Sequence, residues 1–185
     1  AKGPDAYLNN LLGLLLRWRE ERVAIVGDIR KMFNSVHINE LEQHCHRFLW
    51  RNMENGRKPD VYVMTRVNMG DRPAGSISTE ALYKTADMFS QDSERAAQII
   101  RNNTYVDDIL DSLNVDKPEA LKVAQEIESI LLKGGFHVKY WQFSGESFTR
   151  VGNELHNVDI VKDCSDHENV SLLDPDDSDH TRVLG

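Results

Sequence analysis

Apolar positions along this chain change their period several times, and each change predicts an element. In residues 6–19, Leu8, Leu11, Leu12, Leu15 and Trp18 recur at helical spacing with polar residues between them. That pattern predicts an amphipathic helix whose leucines pack a core. Arg22-Val23-Ala24-Ile25-Val26-Gly27 then predicts a short buried strand with Asp28 at its end. Asn39, with Glu42 three positions later, is a capping-box start. It predicts a helix over 39–50 with Leu41, Cys45, Phe48 and Leu49 on its apolar side. Val61 to Val67 alternates and is β-branched, as a strand does. A loop from Met69 to Gly75 leads into a helix over 78–89, and helix resumes over 93–101. Small residues in that loop would let a planar group approach the backbone, although a plain strand-to-helix turn reads the same way. Asp116 and Glu119 open a last helix through Leu121, Ala124, Ile127, Ile130 and Leu131, which Gly134-Gly135 stops. Residues 136–143 are strand-like, and 144–152 hold turn residues.

Thr104-Tyr105-Val106-Asp107-Asp108-Ile109-Leu110 places two acids between short β-prone runs, predicting a tight hairpin with a carboxylate pair at its tip. Strand neighbours face opposite sides, so adjacent acids cannot both face a core. At a turn both can project in front of the sheet. Carboxylates held together repel unless a cation neutralises them, and Mg²⁺ takes oxygen ligands. An isolated acidic pair is more often an exposed turn, and Asp28 alone is equally a helix cap or turn residue. The whole order predicts an α+β fold with a mixed or antiparallel sheet covered by helices mainly on one face. If the strands bearing Asp28 and the pair lie side by side, three carboxylates gather. Such a cluster can hold two divalent ions for in-line phosphoryl transfer.

Composition bounds this picture. A chain of 185 residues with 40% hydrophobic and 28% charged residues suits one soluble domain. The densest apolar run, Leu11 to Leu16, contains Gly13 and is too short to span a bilayer, so no membrane partner is expected. Cys45 and Cys164 make no disulfide framework, which argues for an intracellular, cytoplasmic setting. His44 and His46 would lie about 200° apart on a helix and cannot share an ion with Cys45, leaving surface histidines around a buried cysteine. The net charge is −8, but residues 156–180 hold eight acids against Lys162 and supply −7 of it. That stretch is expected to be a flexible acidic insertion, with 1–155 as the main domain and 181–185 as the start of a further strand. The remainder is nearly neutral, short of the basic surface of an autonomous nucleic-acid binder. Grip on a polyanion would need metal ions or residues beyond this piece, and the abrupt ends predict a piece of a larger chain.

Family wording sharpens the chemistry. Val26-Gly27-Asp28-Ile29-Arg30-Lys31-Met32-Phe33 resembles the first catalytic motif of reverse transcriptases, and Tyr105-Val106-Asp107-Asp108 resembles their signature hairpin. Gly3-Pro4-Asp5 with a Leu-rich helix ending in Arg17-Trp18-Arg19 is similar to the Pao/BEL group of LTR retrotransposons. So are Arg47-Phe48-Leu49-Trp50-Arg51, Gly134-Gly135-Phe136 and the terminal Val183-Leu184-Gly185. The resemblance implies a reverse-transcriptase-like palm with a remnant of the fingers, adding deoxynucleotides to a primer 3′-hydroxyl with two Mg²⁺ (or Mn²⁺) ions. It implies that Asp28 and Asp107 ligate both metals, that Asp108 completes the carboxylates, and that the Ile29 carbonyl is a further ligand. Backbone amides of Lys31 and Met32 would face the triphosphate. Phe33 matches the gate that excludes a 2′-hydroxyl; read alone, it is an ordinary core Phe. Met69-Gly70 matches the loop lining the nucleotide and template pocket. Tyr105, Val106, Leu184 and Gly185 would contact the primer, and Lys139 would be the general acid for pyrophosphate.

The implied partners are a primed RNA or DNA template and deoxynucleoside triphosphates. Remaining fingers, thumb and RNase H would come from the parent polyprotein, in a cytoplasmic virus-like particle. Departures stand out at two places: Met69 replaces the glutamine of retroviral enzymes and Asp71-Arg72-Pro73 differs from their Ser-Pro arrangement, and Tyr140 separates Lys139 from Trp141, which tend to be adjacent in family relatives. A transposon-derived binding module is the competing reading. Another two-metal phosphotransferase is a third, against which the gate spacing of Phe33 argues.

Overall fold

The computed structural model describes residues 8–144 and the backbone of 149–152. In chain order the elements are α1 (Leu11–Arg17), β1 (Val23–Arg30), the single turns α2 (Met32–Ser35) and α3 (Glu40–Gln43), β2 (Arg47–Trp50) and β3 (Asp60–Val63). Next come α4 (Ala74–Met88), α5 (Glu94–Asn102), β4 (Thr104–Tyr105), β5 (Asp108–Leu113), α6 (Lys117–Lys133), β6 (His137–Phe143) and β7 (Thr149–Gly152). Strands β4-β5-β1-β6-β7 form one sheet, with every pairing antiparallel, and β2-β3 form a separate ribbon. The fold is therefore α+β with an antiparallel sheet.

The two faces of the large sheet are covered unequally. Ile25, Ile29, Ile109, Val138 and Trp141 pack with Leu82, Ala97, Ile100, Ile127 and Ile130 from α4, α5 and α6. On the opposite face Val26 and Leu110 pack with Leu14 of α1, flanked by Leu15, Trp18 and Tyr105. Strand alternation produces this division, since Ile25 and Val26 must face opposite sides. Gly27 is dictated by Trp141, because a Cβ there would lie 2.6 Å from the indole ring. Among the described residues no helix is long and apolar enough to cross a membrane.

Several expectations are corrected. The first helix is shorter, and only Leu14 is buried, with Leu15 and Trp18 partly buried beside it, while Leu8 and Leu12 are exposed. The leucine run fits more than one stripe, and the tertiary partners Val26 and Leu110 select the one centred on Leu14. Residues 39–50 are not one helix. Asn39 does cap α3, accepting from the Leu41 amide at 3.0 Å, but helix ends at Gln43 and Arg47–Trp50 pairs with β3. A cap fixes only where a helix starts. The cross-strand stack of Phe48 on Tyr62, with centroids 5.6 Å apart, favours strand for the residues beyond Gln43. Cys45 is consequently exposed rather than buried. The strand expected to Val67 stops at Val63, leaving Arg66 in an isolated bridge to His37. Asp28 lies inside β1, which is flanked on both sides and runs on to Arg30. Finally, Thr149–Gly152 is a strand on the edge of β6, where turn residues had been expected. The acidic stretch 156–180, the segment 181–185 and the primer-binding candidates Leu184 and Gly185 lie outside the described residues, as does Gly3-Pro4-Asp5.

Candidate functional site

Register places the acids. Asp28 on β1 is the Cα partner of Asp108 on β5 and of Tyr140 on β6, while Asp108 is also the partner of Tyr105 on β4. Tyr105, Asp108, Asp28 and Tyr140 thus form one row across four strands. Directly opposed residues share a face, with Cβ atoms about 4.5–5.5 Å apart. Asp28 follows Val26 by two residues, and Asp108 precedes Leu110 by two, so the acids occupy the face that α1 covers. Val26 and Leu110 are buried beneath α1, whereas Asp28 and Asp108 are only partly buried. Like charges opposed in a sheet are unfavourable, so this position is a costly one for two acids.

Asp107 joins them from the hairpin tip. Its carbonyl accepts a 2.8 Å hydrogen bond from the Ile29 amide, which docks the tip against β1 immediately after Asp28. Its side chain is exposed. Val106 beside it holds φ at 55°, in the left-handed region. A β-branched residue there is strained by about 1–3 kcal/mol, and such strain concentrates at functional sites. Lys31, at the other end of the Asp28 motif, also has a positive φ of 49°. Strain therefore falls at two of the sequence-predicted positions.

Lys139 occupies an irregular step. Asp28 pairs with Tyr140 and Ile29 with Val138, so Lys139 is the extra residue of a β-bulge opposite the Asp28–Ile29 step of β1. Bulges re-aim side chains, and the alternation is reset so that both Val138 and Trp141 reach the core. The Lys139 ammonium lies 5.7 Å from the centroid of the Tyr140 ring. The intervening Tyr140, a departure from the family wording, thereby becomes the residue opposite Asp28.

The remaining candidates are spread along the same end of β1. Met32 has its side chain buried in the core, so only its backbone can serve a ligand. Phe33 is partly buried and lies outside both core clusters. Its turn, α2, packs against α4, the helix that the Met69-Gly70 loop leads into. Met69 is 77% exposed, and Gly70 has a φ of 97° that explains the glycine. The loop is pinned by Asp71, whose carboxylate lies 3.3 Å from His46 Nδ1. Two open cavities of about 310 and 410 Å³ flank that pair, but Asp28, Asp107 and Asp108 line neither.

Sequence reasoning missed the hairpin's supports. Asn9 Nδ2 donates to the Thr104 carbonyl at 2.8 Å and to the Arg101 carbonyl at 3.0 Å. Arg17 Nε donates to Asn103 Oδ1, whose Nδ2 in turn donates to Asp111 at 2.6 Å. Burial pushes the Asp111 carboxyl above its ordinary value, against smaller opposing effects of the Ser112 amide, Asn103, Arg95 and Arg17. Asp111 follows the acidic pair by three residues and could have been flagged as an acid inside an apolar strand. Nothing in the sequence linked it to Asn103.

The donor set Asp28, Asp107, Asp108 and the Ile29 backbone suits a hard divalent ion in chemistry and in backbone placement. As the side chains stand, however, no group of three or more His, Cys, Asp or Glu among the described residues is arranged to hold one. Ion binding would therefore require the carboxylates to turn toward each other. The chain matches no family model, and no curated protein matches it.

Proposed function

We propose that this chain is a reverse transcriptase palm, of the kind carried by Pao/BEL-type LTR retrotransposons, that adds deoxynucleotides to a primer 3′-hydroxyl. The observation that carries the reading is the register pairing of Asp28 with Asp108, with the Asp107 tip tied to Ile29 beside them. Asp28, Asp107, Asp108 and the Ile29 carbonyl would hold two Mg²⁺ ions, for which Mn²⁺ could substitute. Such ions supply Lewis-acid stabilisation of the attacking and leaving oxygens.

The chain's own residues do the positioning. Lys31 and Met32 offer backbone amides to the triphosphate at the turn after β1. Phe33 and the Met69-Gly70 loop shape the nucleotide pocket, with the ring of Phe33 refusing a 2′-hydroxyl. Tyr105 and Val106 support the primer terminus. Lys139, in its bulge, donates a proton to the departing pyrophosphate. Template and primer are gripped mainly by fingers, thumb and RNase H of the parent polyprotein, because residues outside 156–180 have almost no net charge.

The test is primer extension by the parent polypeptide on a primed RNA template with Mg²⁺ and deoxynucleoside triphosphates. Asp107→Asn should reduce kcat by about three orders of magnitude or more, the scale set by losing a metal that stabilises transition-state charge. Extension at the unmodified rate by Asp107→Asn would overturn the assignment.

A further inference from the structure

We propose that Asn103 is a positioning residue that sets where the Val106–Asp107 tip sits, acting through Arg17 and Asp111. The inference rests on the reading of Asp107 as part of a metal site. Its grounds are independent of that reading.

Strand β4 is only two residues long and lies on the sheet edge, so its own ladder fixes the tip poorly. Asn103 supplies the missing hold at the hairpin root. Its amide donates to the Ile99 carbonyl at 2.9 Å, and its carbonyl accepts from Leu110 at 2.8 Å. Its side-chain oxygen accepts from Arg17 Nε at 3.1 Å, while its side-chain nitrogen donates to Asp111 Oδ1 at 2.6 Å. One residue therefore ties the ends of α5 and α1 to β5. Asp111 is 8% exposed, and a buried carboxylate left without this donor would be costly. Moreover, Asp28 and Asp108 sit on β1 and β5, held by long ladders, whereas Asp107 depends on the short edge strand. Loosening Asn103 should move Asp107 relative to the other two acids.

The Ile29 amide reports this directly, since it bonds the Asp107 carbonyl. Asn103→Asp confronts Asp111 with a second carboxylate. In this chain it should accelerate hydrogen exchange at the Ile29 amide about tenfold, while Ile127 in α6 is unchanged. The double variant Asn103→Asp/Asp111→Asn reverses donor and acceptor and keeps the acceptor facing Arg17, so it should restore slow exchange. Unchanged Ile29 exchange in Asn103→Asp, equal acceleration at Ile29 and Ile127, or failure of the double variant to restore exchange would each overturn the structural role.

In the parent polypeptide, Asn103→Asp should lower the kcat of primer extension with the nucleotide KM unchanged, and the double variant should recover it. A parent that extends normally with Asn103→Asp overturns the positioning role. A parent that does not extend even unmodified refutes the polymerase reading and with it any role in that reaction, while the exchange result still stands as a statement about the hairpin.

Discussion

The large sheet and the β2-β3 ribbon treat apolar residues in opposite ways. In the sheet, Trp141, Ile25, Ile109 and Leu110 are almost wholly buried between α1 on one side and α4–α6 on the other. In the ribbon, Leu49 is 65% exposed and Val61 63%, with Phe48, Trp50 and Tyr62 also exposed. A lone two-stranded ribbon is at best marginally stable in water. The β2-β3 ribbon is tied to its surroundings by contacts at its base, where His46 lies 3.3 Å from Asp71 and the Ile38 amide donates to the Thr65 carbonyl at 3.2 Å. Asp28 and Asp108 are mounted on the well-packed region, so a rigid frame holds two of the three acids, with Asp107 on the adjoining hairpin tip, while the exposed region is built less tightly. Rigid elements hold a constellation more accurately than loops do.

Truncating the frame should do the most damage. Trp141→Ala removes a buried indole packed on Gly27 and should cost about 3–5 kcal/mol in denaturant unfolding. A loss below about 1 kcal/mol would show that the sheet is no better packed than the ribbon.

Smaller and pH-dependent is the effect of Asp111. Burial raises its folded-state pKa above the ordinary 3.8, so the folded protein keeps this proton where the unfolded chain has released it. The stability it contributes is present below the unfolded value and is lost as pH rises through the folded value. Asp111→Asn should therefore gain stability relative to the natural chain above that window, and the gain should vanish as pH falls below 3.8. Melting curves across pH check this; a gain independent of pH would locate the cause elsewhere.

The smallest change is expected on the ribbon. Leu49→Ser should alter unfolding stability by no more than about 0.5 kcal/mol, as for other exposed positions. A larger loss would mean that the ribbon is part of the cooperative core.

Legibility in the sequence divided along the same line. Helices α4, α5 and α6, the hairpin and strand β6 were readable because caps, glycine stops and periodicity coincide with burial. The Asp116 cap on the Glu119 amide is one such signal. Within the ribbon β3 was readable as a strand, but β2 was misread as helix because its apolar residues face solvent, so their spacing carries no burial information. At the site, Asp28, Asp107 and Asp108 were legible as types in a motif, but their pairing depends on the register of β1 with β5. The bulge at Lys139 depends likewise on the pairing of β1 with β6. Asn103 and Arg17 were invisible because their bonds join residues 86 positions apart in sequence.

The central claim is that Asp28, Asp107 and Asp108 form one divalent-ion site, and it can be tested without any substrate. Titrating Mn²⁺ into this chain should selectively broaden the amide resonances of Asp28, Ile29, Asp107 and Asp108, and Asp107→Asn should abolish that selectivity. Broadening that is absent from these four amides, or unchanged in Asp107→Asn, would contradict the account.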